Sequence, residues 1–363
     1  MHRALRAAAV FVSVATLVGV SFGQTAAPTR PTQPLIGGYL RHTQDIHQEF
    51  STRLAGATAL QLWKRTFTYK GKSYTYEMVG TDPAKGSVTT TVPVFLVPVA
   101  VTFSDGTVLD ATKPGQISPL TAEDGFLQSP MIQPVTFSSG KVNVGTTQFT
   151  DAFQRANFWQ DVSTHSPNYH VLLGTPTVLP TLSMKPSAAL GNTQKTSTGI
   201  TFGTIDANYI DNAALNYMRT NKQIKPNSFV VFLSYNVVIG GGVSFHSSVG
   251  PQTYTITMYS DKGVISTLFG NQFAKVATTA VTSHEIGEWL DDPFGNNAMP
   301  DGVLEVGDTL QPHTLSKVSM GNTYAMQELA FHDWFTCKAP PSTSANGWYS
   351  FLGTYKTPDA SCP

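Results

Sequence analysis

The chain is poor in charge. Lysine, arginine, aspartate and glutamate make up 13% of its 363 residues, and the two signs balance, 23 against 23. So little charge, with no basic excess, argues against both a disordered chain and a nucleic-acid binder. No global field is available to steer a charged partner. Cysteine is scarce too: only Cys337 and Cys362 occur, both near the C-terminus. Two cysteines so far apart make no zinc cluster, and in an exported chain they read as one disulfide closing the tail. Beyond the N-terminus there is no apolar run long enough to span a membrane. The nucleophile elbow Gly-x-Ser-x-Gly is absent, as is a Walker loop. The glycines of "IGGGVSF" lack the spacing of a dinucleotide fingerprint.

What is present begins with an export signal. "MHRALR" supplies positive charge, "AAAVFVSVATLVGV" is the apolar core, and Ser21 and Gly23 are small enough for a cleavage site. Cleavage is expected after Gly23. The expected organisation is a signal peptide over 1–23, a Pro/Thr-rich linker over 24–40 and a single domain over 41–363. The product would be secreted or periplasmic, with no stable membrane insertion after cleavage.

From Arg65 the pattern turns β-like. "RTFTYKGKSYTYEMVG" alternates around a Lys-Gly turn, and "TTTVPVFLVPVAVTFSDGTVLD" is a β-branched run closed by the hairpin signal Asp105-Gly106. Pro93 and Pro98 weigh against reading that run as one central strand. "NSFVVFLSYNVVIGGG" and "QTYTITMYS" read as buried strands. "TDAFQRANFW" reads as a short helix, and "DANYIDNAALNYMRTNKQ" as a helix capped by Asp206. The last third reads as helical from Phe273 to Leu290 and again over "TYAMQELAFHDWF". The expected class is therefore α+β: a β-rich N-terminal part, a buried active-site helix and a helical C-terminal part.

The chemistry concentrates in "SHEIGEWLDDPFGNNAMPDGVLEVGD", Ser283 to Asp308. On a helix His284 and Glu288 stand about 40° apart and one turn apart in height, so both can reach one ion. Zinc accepts imidazole nitrogen and carboxylate oxygen, and a catalytic site needs three protein ligands and an open position. Glu285 lies next to His284, where the zinc-peptidase motif carries the residue that takes the proton from metal-bound water. For the third ligand the candidates are Glu305, which is 21 residues after His284, and also Asp292 and Asp308. Asp291 and Asp292 oppose the helix macrodipole, which hints at a role other than helix stability. His246, in the glycine-rich "GGGVSFHSSVG", reads first as a loop histidine and second as a contact for substrate or metal; His332, His165 and His170 read the same way with less weight on the second. Arg155 reads as a structural partner of a buried acid.

The string Ser-His-Glu-x-x-Glu-x-x-x-Asp-Pro, followed by Glu-x-Gly-Asp, resembles a group of exported zincin-like metallopeptidases. A similar string occurs in the plant EXORDIUM, or phosphate-induced, proteins. Here it stands as "SHEIGEWLDDP" and "LEVGD", and it extends more weakly to "YAMQELAFHDWF" and "FHSS". The resemblance implies a zincin-like fold, Zn2+ held by His284 and Glu288, Glu285 as general base, and a peptide or protein substrate. Glu305 resembles the distant glutamate ligand of thermolysin-type zincins. Two positions depart from the pattern: Asp291 replaces the usual threonine, and Glu288 stands where active peptidases carry histidine. A ligand set with more carboxylate lowers the Lewis acidity of zinc and admits Ca2+ or Mn2+ as alternatives. The expected function is a secreted metal-dependent hydrolase of peptide bonds. The alternative is a non-catalytic secreted binding protein with a calcium or vestigial metal site. A glycosidase using Glu285 and Glu288 is a weaker third option.

Overall fold

β-branched and aromatic runs build the centre of the molecule. In the computed structural model, which describes residues 37–339 and 343–362, eight strands share one sheet. They are β1 (Tyr39–Leu40), β2 (Val94–Thr102), β3 (Val108–Asp110), β4 (Thr177–Val178), β5 (Leu182–Met184), β6 (Phe229–Tyr235), β7 (Phe245–Val249) and β8 (Gln252–Tyr259). The expected signal peptide, its cleavage point and the linker up to residue 36 lie outside the described residues. The strand order is β1-β7-β8-β6-β2-β4, with β3 and β5 also paired to β2. β7 and β8 form an antiparallel hairpin, whereas β1 on β7, β6 on β8 and β2 on β6 are parallel. β6 and β8 are buried at every position, as expected where both faces of a mostly parallel sheet are covered.

Among the described residues four helices run to nine residues or more: α1 (Gln44–Arg53), α2 (Phe149–Asn157), α3 (Ala207–Thr220) and α4 (Ala280–Asp291). α3 is capped as its sequence suggests, with the Asp206 carboxylate accepting from the Tyr209 amide at 2.9 Å. α4 is buried along its whole length and packs on β7 and β8. Trp289 anchors it by stacking on Phe229 of β6, ring centroids 3.9 Å apart. The class is mixed α+β. Cys337 and Cys362 form the expected disulfide.

The prolines of the β-branched run act as punctuation. Pro93 separates Thr89–Val92 from β2, and Pro98 sits in β2 between the residues paired with β4 and those paired with β5. β2 is central all the same. The missing amide falls where the neighbouring strand changes.

Two expectations for the last third are corrected. The helix expected to carry the site begins at Ala280, not Phe273. A short helix over Val264–Phe269 stops at Gly270, and Thr278 takes a left-handed φ of 51° to bridge Ser260 before the chain enters α4. The segment "TYAMQELAFHDWF" is not one helix, so the C-terminal part is not helical. Asn322–Gln327 is a strand, paired with Thr314–Ser319 across a turn in which Met320 and Gly321 both have positive φ. Only His332–Phe335 is helical. Tertiary contact overrides the local pattern there: the Gln327 amide donates to Ser283 Oγ at 2.8 Å, and Thr279 Oγ1 donates to the Ala325 carbonyl at 3.0 Å.

Candidate metal centre

α4 projects His284, Glu285 and Glu288 into a space closed by β7, by the loop 304–308 and by Gly37. All three side chains are fully buried. His284 Nε2 lies 3.2 Å from Glu288 Oε1, one helical turn away, and 3.6 Å from Asp308 Oδ1. From the other side His246 Nδ1 lies 3.4 Å from Glu285 Oε2 and 3.5 Å from Glu288 Oε2. Two groups of converging donors result, His284–Glu288–Asp308 and His246–Glu285–Glu288, and they share Glu288.

The surroundings fix these side chains. His284 Nδ1 meets Gln327 Oε1 at 3.0 Å, and Gln327 Nε2 donates to the Gly307 carbonyl at 2.5 Å. An Nδ1–H donated to that oxygen leaves the Nε2 lone pair facing the carboxylates, the arrangement of a metal-ligating histidine. The glycine of "LEVGD" has a spatial reason. A Cβ on Gly307 would stand 2.5 Å from His284 Nδ1, and the Gly307 amide donates to Glu288 Oε1 at 3.2 Å. Ser244 Oγ donates to Glu285 Oε1 at 2.5 Å. Gly37 covers the same face: a Cβ there would lie 2.1 Å from His284 Nε2 and 2.3 Å from Glu285 Oε1.

The electrostatics are those of acids crowded out of water. Burial pulls the His284 pKa down, but Glu288, Glu285 and Asp308 outweigh it and push it up to about 10. Burial likewise opposes the charge on His246, and contacts with Glu285 and Glu288 carry it well above the usual range. Burial raises Glu285, Glu305 and Asp308. In Glu288 burial is overcome by the two histidines, and the carboxyl is held low. His284 Nε2, His246 Nδ1, Glu285 Oε2, Glu288 Oε2 and Glu305 Oε2 are buried without a hydrogen-bond partner. Atoms of this kind normally have partners, and a buried charge is costly unless it is paired or binds a metal. The donor set therefore fits a divalent cation.

The sequence candidates divide as follows. His284, Glu288 and Asp308 come together. Glu305 is buried nearby but belongs to neither group. Asp292 caps the turn after α4, accepting from the Asn296 and Asn297 amides at 2.9 and 3.0 Å. Asp291 is tied to Gln154 and Asn157 of α2. These contacts are the reason two acids end this helix. His332 packs among Phe67, Tyr76 and Phe158. His170 pairs with Asp151, and Arg155 donates to the carbonyls of Val144, Pro167 and Tyr169. Sequence reasoning missed Gln327 and Ser244 as supports and misplaced His246, which is on β7 and not in a loop. The strand character of "FHSSV" was the available signal for His246; Gln327 had none. No family model, curated protein or solved structure matches the chain.

Proposed function

We propose that the chain is an exported, zincin-like, metal-dependent hydrolase acting on peptide bonds. The observation that carries this reading is the convergence of His284 Nε2, Glu288 and Asp308 beside the carboxylate of Glu285. His284, Glu288 and Asp308 would hold the cation, with zinc the first candidate for an imidazole-containing set and Mn2+ or Ca2+ the alternatives. When bound, such an ion polarises a carbonyl and acidifies water.

The residues divide the remaining work. Glu285 Oε1 lies on the His284 Nε2 side, oriented by Ser244, and would accept the proton of the attacking water and pass it to the leaving amine. Burial raises its pKa, which strengthens it as a base. Gln327 holds the His284 ring, and Gly307 holds Glu288. An extended peptide would add to the sheet at its outer strand, β1, which pairs with β7. The leader-like N-terminus and the disulfide support a secreted or periplasmic location.

The closure of the site favours a second reading, a non-catalytic metal site in a secreted binding protein. One experiment separates the two. Residues 24–363, stripped and dialysed against zinc, are assayed for metal and screened against a peptide library beside Glu285→Gln and Glu288→Ala. The first reading expects bound zinc in the parent, loss of metal in Glu288→Ala, and at least one zinc kept with cleavage reduced at least about a hundredfold in Glu285→Gln. Bound metal with no cleavage supports the second reading. No bound metal refutes both.

A further inference from the structure

Glu288 offers its two oxygens to two different histidines, and the reading above uses one of them. Oε1 faces His284 and Asp308, whereas Oε2 faces His246 and Glu285. We propose that His246, Glu285 and Glu288 hold a second divalent first-row cation, so that Glu288 bridges two ions. The inference rests on that reading for the outer ion only.

Two observations carry it. First, an ion with four tetrahedral ligands at about 2.1 Å sets neighbouring ligand atoms about 3.4 Å apart. The inner contacts are 3.4 and 3.5 Å, as close to that spacing as the outer 3.2 and 3.6 Å. Second, His246 is turned like a ligand. Its Nε2 faces the Asp292 carbonyl at 3.3 Å, and a proton donated there leaves the Nδ1 lone pair facing two carboxylates. That contact is repulsive unless a proton or a metal ion lies between. His246 Nδ1, Glu285 Oε2 and Glu288 Oε2 have no hydrogen-bond partner, and all three residues are 0% exposed.

The two oxygens of Glu285 thereby separate in role. Oε2 faces the inner ion, and Oε1, held by Ser244, stays on the His284 side. An inner cation thus fixes the base without occupying the oxygen that does the chemistry.

The test is metal stoichiometry on residues 24–363, stripped with chelator and dialysed against Zn2+, with folding of each variant checked by circular dichroism. The expected result is two zinc ions per chain in the parent, one in His246→Ala, one in His284→Ala and fewer than one in Glu288→Gln. Loaded with Mn2+, the parent should give an exchange-coupled electron paramagnetic resonance spectrum and His246→Ala an isolated six-line signal. A parent that saturates at one ion overturns the proposal without needing any variant. If that single ion is lost in His284→Ala and kept in His246→Ala, the proposed function stands and only the second cation fails. A parent that binds no ion removes both.

Discussion

Replacing Gly37 with alanine tests the geometry of the centre most directly. The added Cβ would stand 2.1 Å from His284 Nε2, 2.3 Å from Glu285 Oε1 and 2.4 Å from His284 Cδ2, where real contacts stay above 3.0 Å. The conflict is one of space. Something must move by roughly an ångström, and such overpacking costs about 1–3 kcal/mol. The helix side is braced by Gln327 on His284 and Ser244 on Glu285. The strand side is tied by the β1 pairing, Tyr39 Oη to Ser248 Oγ at 2.6 Å, Ser247 Oγ to the Leu40 carbonyl at 2.7 Å and Arg41 Nη2 to the Gly295 carbonyl at 2.7 Å, but β1 is only two residues long and lies at the end of the sheet. β1 should therefore be what yields. Gly37→Ala should lower urea stability by about 1–3 kcal/mol, speed trypsin cleavage after Arg41 and speed zinc uptake by the stripped protein. Unchanged stability, cleavage and uptake would refute the placement of Gly37 over His284 and Glu285.

Three further outcomes are expected. Metal must displace protons that the site holds tightly, because Glu288, Glu285 and Asp308, against the opposing effect of burial, keep His284 at about 10. Zinc binding should therefore release protons, and affinity should rise with pH by up to about tenfold per unit for each proton displaced, as titration calorimetry in buffers of different ionisation enthalpy would measure. Gln327→Leu removes the acceptor that orients His284 and should weaken zinc binding by about 10–100-fold with the fold intact; an unchanged affinity would show that Gln327 is not a support. Reducing Cys337–Cys362, which are 25 residues apart, should cost about 3 kcal/mol in urea unfolding, and equal midpoints with and without reductant would show that the bond does not constrain the tail.

Local physics was legible wherever a few neighbouring residues decide the outcome. The Lys70-Gly71 and Asp105-Gly106 turns, the Asp206 cap and the buried run Phe229–Tyr235 each follow from turn chemistry, capping or unbroken hydrophobicity. Local reading failed where a distant partner outweighs propensity. Ala, Met, Gln, Glu and Leu in "YAMQELA" favour a helix, yet Asn322–Gln327 is a strand because Thr314–Ser319 and α4 supply its hydrogen bonds.

The same division runs through the candidate site. The sequence alone determined that His284, Glu285 and Glu288 share one helix, because the helical repeat puts residues one and four positions on within reach of a common point. It could not choose among Glu305, Asp308 and Asp292, since a loop of some twenty residues can return with any of them inward. Nor could it bring His246 to Glu288, because that approach depends on β7 pairing with β8 beneath α4. Tertiary structure brings His246 and Asp308 to Glu288, because β7 packs against α4 and the Gly307 amide, bonded to Glu288 Oε1, holds the loop that carries Asp308.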